Sequence, residues 1–161
     1  MNETNSQTVD LLISHSQVLV RSRPYDEGLS QWGTGNIDQG AVLHPDYVVF
    51  DPLPEDAFGA KVHLLLADKF EKDERAARCI VAPFRVTDRG ALEVASATEK
   101  FKIDLDLPLE SYDLYYEVCE GDEVFYKFTF VPGGQEGAQY LMDDPWGGKK
   151  GQPLTAGKFD R

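Results

Sequence analysis

The stretch SYDLYYEVCEGDEVFYKFTFV, residues Ser111–Val131, sets two alternating runs on either side of a Gly-Asp turn, and its reading decides the fold. Successive side chains of an extended strand point to opposite faces, so Tyr112, Leu114, Tyr116 and Val118 share one face of the first run. Val124, Tyr126, Phe128 and Phe130 share one face of the second. Burying both sets together requires a loop of odd length, because a one-residue slip turns every side chain over. A two-residue turn at Gly121-Asp122 would pair Cys119 with Val124 and oppose the two sets. A loop Glu120-Gly121-Asp122 instead pairs Val118 with Val124, Tyr116 with Tyr126 and Leu114 with Phe128. The outer face then carries Asp113, Tyr115, Glu117, Phe125 and Lys127, with Tyr115 opposite Lys127 and Glu117 opposite Phe125. Such a hairpin must pack its apolar face on another layer, which points to an antiparallel β-sandwich.

Working outward, short β-patterned runs broken by Pro, Gly and Asp continue on the N-terminal side, with no long helical period. The strands expected are 10–21, 41–50, 60–67, 77–87, 91–104, 111–119 and 123–131, all in one all-β domain over 9–144. Residues 1–8 read as a disordered N-terminus, 29–40 as a loop, and 69–78 as an acidic stretch with room for one helical turn. Pro83 removes a ladder donor, so its strand is expected at a sheet edge or bulged there. Residues 145–161 are rich in Gly, Pro and Lys and read as an extended or disordered tail, with docking through Tyr140, Leu141 and Trp146 as the alternative. On the tail reading, deletion of 147–161 leaves the fold intact.

The hairpin is also where charge concentrates. Between Lys102 and Lys127 there is no Lys or Arg, while Asp104, Asp106, Glu110, Asp113, Glu117, Glu120, Asp122 and Glu123 stand among Tyr112, Tyr115, Tyr116 and Phe125. The chain of 161 residues has a formal charge of −12. Four basic residues against Asp160 give 149–161 a charge of +3, so residues 1–148 carry −15. A body of that sign repels phosphates and disfavours direct nucleic-acid binding. Its complement is a basic protein surface, and the candidate partner-binding residues are Asp113, Tyr115, Glu117, Glu120, Asp122, Glu123 and Phe125. Other acidic surfaces are Asp51, Glu55 and Asp56, or Asp143 and Asp144.

Signatures of catalysis are missing. His15, His44 and His63 lie in separate segments without metal-ligand spacing; His15 reads as a half-buried hydrogen-bonded side chain and His63 as a solvated one beside Lys61. No G-x-S-x-G occurs, and Trp146-Gly147-Gly148-Lys149-Lys150-Gly151 lacks the spacing of a phosphate loop. Cys79 and Cys119 read as free apolar fillers, and no cofactor or metal is expected. The N-terminus shows no basic region followed by an apolar core and no run reaches membrane-spanning length, so a cytoplasmic protein without a membrane partner is expected.

Particular residues carry a family likeness. Ile13-Ser14-His15-Ser16-Gln17, Trp32, Ile37, Gln39-Gly40-Ala41 and Val49-Phe50 belong to it, followed by Pro83-Phe84-Arg85-Val86-Thr87 with Gly90, and Ser96. Asp106-Leu107-Pro108 leading into Tyr112-Asp113-Leu114 completes it. Over roughly 9–131 the chain resembles the ComJ-type competence proteins, inhibitors of the DNA-entry nuclease of transformable bacteria. The resemblance implies a small acidic protein that binds and silences a nuclease, and it agrees with the charge. Together they give the leading reading, a non-enzymatic inhibitor of a basic nuclease, DNA-entry or toxin-type, that blocks its DNA-binding or active-site surface. The alternative from the residues themselves is a non-catalytic β-sandwich module for carbohydrate, calcium or another protein, and a hydrolase with carboxylates is the third reading. A homodimer stays open beside a monomer.

Overall fold

The computed structural model describes residues 6–14, 17–52, 59–133 and 137–160. His15, Ser16, Glu55, Asp56 and Arg161 lie outside them. The strands in chain order are β1 Ser6–Leu12, β2 Val18–Ser22, β3 Ala41–His44, β4 Tyr47–Phe50, β5 Gly59–Leu66 and β6 Ala76–Arg85. They continue as β7 Leu92–Ala95, β8 Lys100–Lys102, β9 Ser111–Glu120, β10 Val124–Pro132 and β11 Gln139–Tyr140. One short helix, α1 Thr34–Gln39, follows a 3-10 turn at Gly28–Ser30.

Two sheets result, a six-stranded one in the order β1-β5-β10-β9-β6-β11 and a five-stranded one in the order β3-β4-β2-β7-β8. The all-β expectation holds. Their facing surfaces meet in one core, where Val18, Val20, Val48 and Phe50 of the second sheet pack with Val62, Ile80, Leu114, Tyr116 and Phe128 of the first. Phe50 and Tyr116 stack across the layers at 4.3 Å, and the Tyr116 hydroxyl donates to the Asp51 carbonyl at 3.0 Å, so the buried phenol is satisfied.

Several expected strands divide, each at a polar turn. The run 10–21 passes from one sheet to the other around Ser14 and Gln17, where the Ser96 hydroxyl accepts from Ser14 N–H (2.9 Å) and lies 2.7 Å from the Gln17 carbonyl. The run 41–50 folds back at Pro45-Asp46 into the β3/β4 hairpin, and 91–104 breaks between β7 and β8. The β5/β10 pair is parallel, with Tyr126 beside Val62 and Phe130 beside Leu66, in a sheet otherwise antiparallel. Residues 6–8 of the expected disordered N-terminus are the start of β1, and its free edge is closed by side chains. The Gln7 amide donates to Lys102 O at 2.9 Å and accepts from Asp104 N–H at 2.7 Å, while Leu12 N–H donates to Glu99 at 2.8 Å. These bonds stitch β1 to the edge of the other sheet and leave little template for strand addition.

Pro83 pairs with Asp113 on β9, and β11 reaches only Ile80 and Val81 on the other side of β6, so the proline stands where that side has no strand. The irregularity in β6 lies between Ala76 and Arg78 instead.

The stretch 29–40 is more than a loop. Leu29 and Trp32 cover a second apolar cluster on the outer face of the five-stranded sheet, formed by Leu19, Val42, Tyr47, Val49 and Ala95. Helix α1 follows, with Asn36 accepting from Gly33 N–H at 2.9 Å. It ends at Gly40, whose φ of +84° and closeness to the Arg78 guanidinium leave no place for a Cβ.

The segment 137–160 docks rather than extending away. Leu154 is 7% exposed and belongs to the core. Asn36 and Gln39 of α1 accept from Phe159 N–H and Thr155 N–H, both at 2.9 Å, and Tyr140 OH donates to Gln39 O at 2.7 Å. Arg78, fully buried, donates to Asp144 at 2.8 and 3.2 Å beneath the rings of Tyr140 and Trp146. Burial opposes ionisation of Asp144, but the Arg78 hydrogen bond and the backbone N–H groups of Gly148 and Trp146 outweigh it and hold its pKa below the ordinary value. Asp144 is thereby removed from the candidate acidic surfaces.

Candidate functional site

The hairpin of β9 and β10 forms with the expected faces and a register displaced by two residues. Val124 pairs with Glu120, Tyr126 with Val118, Phe128 with Tyr116 and Phe130 with Leu114, so the turn is Gly121-Asp122-Glu123. Glu120 stays in the ladder because its N–H finds the Arg75 carbonyl at 3.0 Å, which moves the turn one residue later. The inward set is buried as parity requires: Tyr112, Leu114, Tyr116, Val118, Tyr126, Phe128 and Phe130 all lie in the core. Opposite Glu117 stands Lys127, and opposite Tyr115 stands Thr129, which corrects both cross-strand pairs expected on the outer face.

That outer face is also covered, contrary to the expectation of an exposed row. Residues 67–75 cross over it as a strap. Phe70 stacks on Tyr115 at 4.0 Å with an interplanar angle of 5°, and Asp73 N–H donates to Glu117 Oε2 at 2.7 Å. Glu117 is 0% exposed, and its Oε1 has no hydrogen-bond partner among the described residues. Burial pushes its pKa upward, with the Asp73 N–H and Lys127 pulling the other way. Asp113 is buried and Tyr115 half-buried. Cys79 and Cys119 lie on this face, both buried, and burial raises the pKa of each thiol, that of Cys119 to about 12, so neither is a ready nucleophile.

Beyond the strap the hairpin tip is free of cover. Glu120, Gly121, Asp122 and Glu123 are exposed, and Phe125 is half-buried beside them. The proposed partner-binding residues therefore divide into the exposed Glu120, Asp122, Glu123 and Phe125 and the enclosed Asp113, Tyr115 and Glu117.

Next to the tip the fold gathers a basic group that the sequence reading did not assemble. Lys61 and His63 of β5, Phe125 and Lys127 of β10, and Arg75 of the strap line adjoining surface depressions. His63 was expected as a solvated residue beside Lys61; its ring is half-buried, with Nδ1 2.9 Å from Thr8 Oγ1 and its plane edge-on to Phe125 at 5.5 Å. Arg75 lies over the Phe125 ring at 4.7 Å and pairs with Asp73 at 3.1 Å, and Lys127 pairs with the same carboxylate at 3.3 Å. The Arg75 hydrogen bond holds Asp73 well below the usual carboxylate range. The signal in the sequence was the i, i+2 spacing of Lys61/His63 and of Phe125/Lys127; only the parallel β5/β10 pairing joins them.

Among the described residues no three His, Cys, Asp or Glu side chains are grouped to hold a metal ion, and no helix is long and apolar enough to cross a membrane.

No curated protein matches the chain. Among solved structures it is similar to ComJ from Bacillus subtilis, described as an inhibitor of the DNA degrading activity of NucA. The identity is 18%, the match covers 79% of this chain and 96% of that one, and the TM-score is 0.66. The family model described as Competence protein J (ComJ) matches residues 10–131, so the chain that builds this hairpin and its strap belongs to the ComJ family.

Proposed function

We propose that the protein inhibits a DNA-degrading nuclease by direct contact, without turning over a substrate. The observation that carries this reading is the exposed acidic tip, Glu120, Asp122 and Glu123, at the end of a hairpin anchored in the core. A nuclease must present cations to DNA phosphates, and carboxylates on a rigid hairpin compete for those same cations. Rigid mounting limits the ordering cost of association. The described relative's inhibition of a DNA-degrading activity supports this reading, as does membership of the family. Tyr115 and Glu117 serve as the covered base that holds the strap on the hairpin, Asp113 is buried on the same strand, and Glu120, Asp122, Glu123 and Phe125 make the contact.

The test is stoichiometric titration of a DNA-degrading nuclease encoded beside this chain with the purified protein. Loss of DNA cleavage at about one equivalent is expected, together with a complex on gel filtration. Unchanged cleavage with excess protein would refute the reading.

A further inference from the structure

The acidic tip has a cationic neighbour. In a chain of formal charge −12, Lys61, Arg75 and Lys127 converge around one imidazole, that of His63. Partial burial is the main cause that lowers the pKa of His63, and the charges of Lys127, Lys61 and Arg75 lower it further, with Asp73 opposing, so three cations stand close to one imidazole in a strongly negative molecule. Asp73 already accepts from Arg75 Nε, Arg75 Nη2, Arg75 N–H and Lys127 Nζ, at 3.1, 3.2, 2.8 and 3.3 Å. One carboxylate thus serves two cations. Lys61 makes a loose contact with Asp10 at 3.5 Å, both side chains being largely exposed.

The group is held in place before any partner arrives. Arg75 is fixed by Asp73 on one side and the Phe125 ring on the other. Thr8 fixes the His63 ring through Nδ1; when its hydroxyl donates there, Nε2 carries the proton and is the donor that remains. Lys61, His63, Arg75 and Phe125 line an open notch of about 470 Å³, and Asp122 and Glu123 line it with them. One small face therefore bears both signs of charge, side by side.

A uniformly basic partner does not fit such a face, since its cations would meet Lys61 and Arg75 as well as the tip. The geometry points to a carboxylate side chain of the nuclease, an Asp or Glu beside its DNA-binding cations, seating in the notch while those cations engage Glu120, Asp122 and Glu123. This deepens the nuclease-inhibitor reading and rests on it. A nucleic-acid phosphate is disfavoured as the occupant, because the phosphates flanking it along the strand would meet Asp122 and Glu123, whereas a single carboxylate leaves those two side chains to the nuclease's cations.

The charge-reversal variant Lys61→Glu tests this, since Lys61 is exposed and its loss opens no cavity; Arg75→Gln is the second variant. Affinity and inhibition are measured against the co-encoded nuclease, with thermal unfolding of each variant alongside. Generic attraction between an acidic inhibitor and a basic enzyme predicts that Lys61→Glu binds as well as or better than wild type. A seated carboxylate predicts weakening by at least about tenfold, and partial recovery when one surface Asp or Glu of the nuclease is changed to Lys. Wild-type inhibition with unchanged or tighter binding by Lys61→Glu overturns the notch and leaves the inhibitor reading standing. Absence of wild-type inhibition overturns both. Binding of a short DNA duplex by wild type at low salt, lost in Lys61→Glu, would assign the notch to phosphate and overturn the proposal.

Discussion

Glu117 shows how much a single residue can mislead and inform. Its sequence position, alternating with core residues, assigns it to the outer face, and that assignment is correct. What alternation cannot convey is cover: the strap 67–75 lies in a stretch that reads as acidic with room for a helical turn, yet it closes over the face of Glu117 through one backbone N–H and a ring stacked on Tyr115. The resulting carboxyl is held above its ordinary 4.5 mainly by burial, so the folded chain binds its proton more tightly than the unfolded chain. Stability from this group is full below 4.5 and declines as pH rises through the raised value. Glu117→Gln removes that titration, and the stability difference should move in favour of the variant as pH is raised above 4.5 in urea melts. A difference that stays flat would place the Glu117 proton elsewhere. In the core, Leu114→Ala should cost about 2–5 kcal/mol, because the side chain is fully buried between its ladder partners Ala82 and Phe130 and its removal leaves a cavity.

At the scale of elements, the hairpin and the segment 137–160 mark the limits of legibility. The hairpin was readable because its two faces follow from a local period of two, and an odd loop is required whichever three residues form it. The two-residue displacement arises from Arg75, a residue 45 positions before Glu120 that no local pattern connects to it. Reversing Asp122 and Glu123 to Lys together should leave Tm nearly unchanged while reducing nuclease affinity by roughly tenfold or more, since exposed carboxylates contribute to recognition and little to folding. Equal affinity in that double variant would move the interface away from the tip. For 137–160, Gly, Pro and Lys content concealed a few decisive contacts: Leu154 in the core, Asp144 on Arg78, and backbone donors to Asn36 and Gln39. Deletion of 147–161 is therefore expected to lower stability measurably, in place of the neutral effect its composition suggested. Arg78→Ala should cost about 3–5 kcal/mol, because it strands the carboxylate of Asp144 without its charged partner.

For the whole molecule, the all-β class and the sign of the charge were legible, because both are sums over many residues and tolerate local error. The parallel β5/β10 pair, the helix at 34–39 and the mixed-sign face were not, since each depends on segments distant in sequence. If the net charge steers the encounter, association with a basic nuclease should approach about 10⁸ M⁻¹s⁻¹ at low salt and slow as salt is raised, measured by stopped flow. A rate indifferent to salt would deny steering. The buried pair of Arg78 and Asp144 joins residues that stand 66 positions apart. A cut in the chain before Asp144 would leave a buried guanidinium without its carboxylate, so the C-terminal segment acts as a latch whose loss is felt on the strand that flanks the recognition hairpin.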